Sequence, residues 1–100
     1  MSKATELLDQ LQAKYKSSVT ISINGYDFVF HRDDAAYDAF LNEITESNKL
    51  TPMKDYLLQI VERDQKDDLL KIIHLPGIAA GITAKVNGEF IPKLEITVKN

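Results

Sequence analysis

The sequence predicts an α+β fold: an N-terminal helix, a β-hairpin over about residues 18–31, three to four short packed helices, and a C-terminal strand pairing with the hairpin. Three observations carry this expectation. An alternating stretch, TISINGYDFVF, surrounds the pair Asn24-Gly25. Several short segments with apolar residues at helical spacing follow it. The last stretch, LEITV, alternates again.

The first segment, SKATELLDQLQAKYK, has Ser2 as a cap and Leu7, Leu8, Leu11 and Tyr15 on one stripe. Lys14 and Lys16 lie near its C-terminal end, where the helix dipole favours cations. So short a stripe stabilises a helix only when it docks, so residues 1–17 are expected to form a helix that can act as an arm on a single α+β domain over 18–100.

Asn24-Gly25 suits a two-residue turn in which both central residues need positive φ. That turn places Ile23 opposite Tyr26, Ile21 opposite Phe28 and Val19 opposite Phe30. All six side chains then share one face, and Thr20, Ser22, Asp27 and Val29 take the other. A lone hairpin is marginal in water, so helices must cover the apolar face.

In HRDDAAYDAFLNEITESNK, Asp33 or Asp34 caps a helix with Tyr37, Phe40, Leu41 and Ile44 inside, and Ser47 and Asn48 are the expected stop. Thr51-Pro52 reads as a second start, with Thr51 as cap and Pro52 at the first helical position. Met53, Tyr56, Leu57, Ile60 and Val61 form its apolar face. Asp64 is the expected cap of a third helix holding Leu69, Ile72, Ile73 and Leu70, broken by Pro76-Gly77. The stretch GIAAGITAKVNGEFIP fits a close-packed helix ending near Asn87-Gly88, or a second hairpin turned by that pair. Pro92 weakens the returning strand, so the helix is preferred. In LEITV, Leu94, Ile96 and Val98 alternate with Glu95 and Thr97, a half-buried strand that would make the ribbon three-stranded.

Composition excludes several function classes. The apolar share of 44% and the charged share of 27% are those of an ordinary globular domain. Net charge is −3 and the twelve Lys and Arg are scattered, so no basic stripe offers itself to nucleic acid. There is no cysteine, hence no disulfide and no thiolate chemistry. No apolar run reaches a membrane span. The start, MSKATELLDQ, carries acids where a secretion signal would be apolar, so the cytoplasm is the expected location.

No reaction chemistry stands out either. His31, Asp33 and Asp34 have ligand-forming side chains, but a strand exit followed by a helix cap and a first-turn acid explains them without an ion. His74 is placed in a last helical turn, where a cation meets the dipole favourably. Asp64, Asp67 and Asp68 lack the glycine and the distant bidentate Glu of a calcium loop. Ser17 and Ser18 have no nucleophile-elbow context, and no glycine-rich phosphate loop exists. The expectation is a non-enzymatic interaction protein with no cofactor and no metal. Leu50, beside Lys49 and ahead of Pro52 and Met53, either staples its helix start or meets a partner, and the staple is preferred.

The order of these pieces resembles a known family. INGYDFVFHRDDAAYDAFLNEITESNKLTPMKDYLLQIV, then DLLKIIHLPGIAAGITAKV, then LEITVKN, is similar to the small tail assembly chaperones of long-tailed phages and prophages. The resemblance covers about Ser18 to Asn100. It implies a chaperone that coats the tape measure protein, helps bring tail tube protein to it, self-associates in rings or spirals, and is absent from the mature virion. The first helix looks like an addition to the family pattern and inherits nothing from it; on physical grounds the expected contact surfaces are Leu7, Leu8 and Leu11 on that helix and Lys49, Leu50, Pro52 and Met53 at the second helix junction, with any uncovered hairpin face. The alternative is a small adaptor or regulatory domain that binds one peptide partner by strand addition at the hairpin edge.

Overall fold

A computed structural model describes residues 2–99. In chain order the elements are α1 (Lys3–Gln12), β1 (Ser18–Ile23), β2 (Tyr26–His31), α2 (Asp34–Glu43), α3 (Leu50–Ile60), a 3-10 turn (Arg63–Gln65), α4 (Lys66–Ile72) and α5 (Ile78–Phe90). The hairpin forms in the predicted register, Ile23 opposite Tyr26, Ile21 opposite Phe28 and Val19 opposite Phe30. Asn24 and Gly25 adopt φ of 50° and 89°, the positive values such a turn demands.

Burial of the apolar face is graded along the ribbon. Val19, Phe28 and Phe30 are buried, Ile21 and Ile23 are half-buried, and Tyr26 beside the turn is exposed. The reason is what lies across it. α5 packs on β1, and α3 reaches β2. Leu57, Leu69 and Val86, from α3, α4 and α5, meet Phe30 in a single core. Phe40 stacks on Tyr56 at 5.0 Å between ring centres, with the edge of Tyr37 at 6.3 Å, which fastens α2 to α3. Tyr56 donates to Asn87 Oδ1 at 2.9 Å, linking α3 to α5. Burial pushes its phenol up to about 12, with Tyr37 and Asp33 adding to the shift, so it stays a neutral donor.

The outer edge of β2 is closed by the segment after α3. Glu62 N–H donates to the Val29 carbonyl at 2.7 Å, Val29 N–H donates to Gln65 Oε1 at 2.8 Å, and Gln65 Nε2 donates to the Asp27 carbonyl at 2.6 Å. Gln65→Ala is expected to lower stability by about 1–2 kcal/mol, because the half-buried Val29 donor loses its acceptor. Urea denaturation measures the loss, and faster amide exchange at Val29 locates it.

Two caps stand where the sequence puts them. Ser2 Oγ accepts from Thr5 N–H at 3.1 Å and Asp33 Oδ1 accepts from Ala36 N–H at 3.0 Å. Other boundaries differ. α2 ends at Glu43, short of Ser47 and Asn48, because Thr45 Oγ1 accepts from Asn48 N–H at 3.0 Å and closes a separate turn. α3 starts at Leu50, so Thr51 is not its cap and Pro52 sits third. Pro is tolerated there because the first four N–H groups of a helix have no acceptor within it. Asp64 lies within the 3-10 turn, and α4 begins after Gln65 without a side-chain cap. His74 falls just beyond the C-cap of α4. Residues 78–90 form a helix, which resolves the choice against a second hairpin. Asn87 and Gly88 lie inside its last turns, and Gly77, at φ 87°, lets the chain enter it.

The C-terminal strand is a correction. Residues 91–99 form neither helix nor strand, the sheet has two strands, and Ile96 and Val98 are each 84% exposed. Alternation prepares a strand but does not supply its partner: the β2 edge is already occupied, and the chain leaves α5 extended, with Ile91 at φ −93° and ψ 104° ahead of Pro92.

Inside α5, the Thr83 hydroxyl is buried without a hydrogen-bond partner. Thr83→Val keeps the shape and removes the stranded group. It is expected to raise stability by about 1 kcal/mol, read as a higher urea midpoint at unchanged slope.

Candidate interaction surface

The most distinct surface is α1. It has no buried residue. Leu7 and Leu8 are 54% and 51% exposed, and Leu11 and Tyr15 are half-buried. Serine capping and spacing make the helix, but among the described residues Leu7 and Leu8 of its apolar stripe stay largely uncovered. The stretch after α1 is held to the body by polar contacts. The Arg32 guanidinium lies 4.7 Å from the Tyr15 ring centre, and Lys16 pairs with Glu89 of α5. The Lys16 ammonium holds the Glu89 carboxyl below its ordinary range. The arm is thus anchored at its base and open along its stripe.

The second surface is the start of α3. Lys49 and Leu50 are exposed, Leu50 by 52%, so Leu50 does not staple its helix. Pro52 is fully buried and Met53 half-buried. Lys49 and Leu50 therefore present the chemistry at this corner, while Pro52 fixes the backbone beneath them. Leu41 of α2, also half exposed, was predicted inside. A shallow hollow of about 320 Å³ between α2 and α3 includes Pro52, Tyr56 and Leu58 in its lining.

The titratable groups that sequence singled out are drawn apart. His31 meets Glu62, Asp33 caps α2, and Asp34 accepts both Nε and Nη2 of Arg32 at 2.8 and 2.9 Å. The Arg32 hydrogen bond lowers the Asp34 carboxyl. Asp68 accepts from the Tyr26 hydroxyl at 2.6 Å, which lowers its carboxyl and ties the hairpin tip to α4. Among the described residues no three metal-binding side chains gather, and no helix is long and apolar enough to cross a membrane.

Sequence reasoning missed the role of Gln65. Its partners lie 36 and 38 residues away, and a lone glutamine gives no local signal of that contact.

Residues 19–100 match the family described as "Phage tail assembly chaperone". Over 98 residues the chain is 55% identical to "Uncharacterized 11.3 kDa protein in lys 3'region" of Haemophilus phage HP1 (strain HP1c1), covering 98% of this chain and 96% of that protein. The family match begins inside β1 and so excludes α1. The phage relative's match, at 98% of the chain, takes in nearly all of it. No solved structure matches.

Proposed function

The chain belongs to the phage tail assembly chaperone family, and from that premise we propose that it is a non-enzymatic holdase for the tape measure protein of its phage. It coats the long helical rod, keeps the rod's apolar surface from aggregating, and helps bring tail tube subunits to it. It acts in the host cytoplasm and leaves before the virion is complete.

The observation that carries this reading is the uncovered stripe of α1. A holdase needs apolar surface within reach and enough charge to stay dispersed. Leu7 and Leu8 provide the first, with Leu11 at the base of the stripe and Lys49 and Leu50 as a second contact. The net charge of −3 contributes to the second. In this reading residues 1–17 are the arm and 18–100 the body that carries it. Each contact is small, so many copies along a repeating rod would bind through avidity and still come off.

Co-expression tests it. The tape measure protein produced alone is expected to aggregate, and produced with this chain it is expected to stay soluble and co-purify. A tape measure protein that stays insoluble in the presence of the folded chain contradicts the proposal. The adaptor reading draws on the open outer edge of β1. It would be favoured by one copy bound to one short peptide and no effect on the rod.

A further inference from the structure

β1 has an open outer edge. In a two-residue hairpin the residues flanking the turn, Ile23 and Tyr26, are a hydrogen-bonded pair, and the pattern alternates from there. The backbone groups of Val19, Ile21 and Ile23 therefore point to β2, and those of Ser18, Thr20 and Ser22 point outward. Among the described residues, no hydrogen bond outside the hairpin reaches these outward groups, whereas the matching edge of β2 is closed by Glu62 and Gln65. Such a row of free donors and acceptors is a template for another strand.

A trench runs beside that edge, between β1 and α5. It consists of two hollows of about 440 and 200 Å³ that share Ile21, Ser22 and Lys85. Ile23, Ile78 and Ile82 line the part near the turn, together with Gly81, beside which an added Cβ would meet nothing within 4 Å. Ile21, Ile23 and Ile78 are only half-buried, so the apolar wall is unfinished.

The chain carries a segment of matching form. Over residues 93–99, Leu94, Ile96 and Val98 alternate with polar side chains, and Ile96 and Val98 are 84% exposed. At about 3.3 Å per residue the segment would span about 23 Å, against about 20 Å for β1. Its own chain directs it elsewhere. Phe90 and Ile91 line a hollow with Tyr15, Arg32 and Tyr37, so the segment departs on that side. Pro92 confines Ile91 to extended backbone, which opposes a reversal within three residues. The Lys16–Glu89 pair also stands at the near end of the trench.

We propose that residues 93–99 of one copy add as a third strand to the β1 edge of a second copy, with Leu94, Ile96 and Val98 seated in the trench beside α5. The contact is heterologous, tail to edge. Repeated from copy to copy it does not close on a pair but continues as a ring or a helical filament. That geometry suits a protein encircling a rod, but it is a property of the chain alone and stands or falls without the tape measure protein.

Two variants of the isolated chain test it by sedimentation velocity. Truncation after Pro92 removes no residue of the core and leaves the edge. Thr20→Pro blocks the edge at a donor outside the ladder and leaves the tail. The unaltered chain is expected to grow in mass with concentration beyond a dimer, each variant to stay monomeric, and their mixture to form a one-to-one dimer and nothing larger. A strictly monomeric unaltered chain overturns the proposal, as does a truncated chain that assembles like the full one. Amide exchange provides a second readout should Thr20→Pro unfold. The Thr20 and Ser22 N–H groups should be at least about tenfold more protected in the concentrated full chain than in the truncated one, and equal rates overturn the proposal.

Discussion

Phe30→Ala is expected to lose about 3–5 kcal/mol of stability. The Phe30 ring is fully buried where β2, α3, α4 and α5 meet, and its backbone bridges to Val61. Truncation removes the transfer energy of a whole aromatic side chain and leaves a cavity that four elements from distant parts of the sequence cannot collapse to fill. Small domains have about 5–15 kcal/mol in total, so the variant forfeits about a fifth of that stability at the least. At about 4–8 °C per kcal/mol for a chain of this size, the thermal midpoint should fall by at least about 12 °C. Calorimetry and urea denaturation check it. A loss below about 1 kcal/mol would mean that the hairpin face is not the centre of the core.

The double variant Leu7→Ser, Leu8→Ser has the opposite profile. Neither side chain is buried, so stability should change by less than about 0.5 kcal/mol. Binding should change far more. Full burial of a leucine contributes about 1.5–3 kcal/mol, and each of these, half exposed, has about 1 kcal/mol left to gain on a partner. Two such losses make about 30-fold per copy, and an array multiplies the effect. The tape measure protein co-expressed with this variant is expected to precipitate while the variant itself remains folded. Equal rescue by variant and parent would remove α1 from the binding surface.

These two variants separate what sequence specifies from what it leaves open. The hairpin register is legible because two local demands coincide. Asn24-Gly25 accepts positive φ, and alternation fixes which side chains share the buried face. The caps at Ser2 and Asp33 are equally local. The start of α3 is less so, since Pro52 satisfies a first or a third helical position alike. Spacing shows that Leu7, Leu8 and Leu11 form a stripe, but a docked stripe and a free one have the same spacing. LEITV poses the same problem in a strand: its period of two specifies an apolar side and is silent on whether the covering surface belongs to the same molecule. The closure of β2 by Gln65 and the open edge of β1 are long-range facts, settled by how α3 and α4 pack and not by any neighbour in sequence. Leu50 shows the limit at a single residue. A staple and an exposed contact differ only in where the helix begins, and it begins two residues too early for a staple.

Under the proposed function, many copies of this chain keep one tape measure protein dispersed by covering it. The most direct measurement is the mass and composition of the complex purified from cells making both proteins, by light scattering with quantitative amino-acid analysis. Several copies of this chain for each tape measure protein are expected, in proportion to the length of the rod when that length is shortened. A tape measure protein recovered soluble with no copy attached, or with one copy whatever its length, would contradict it.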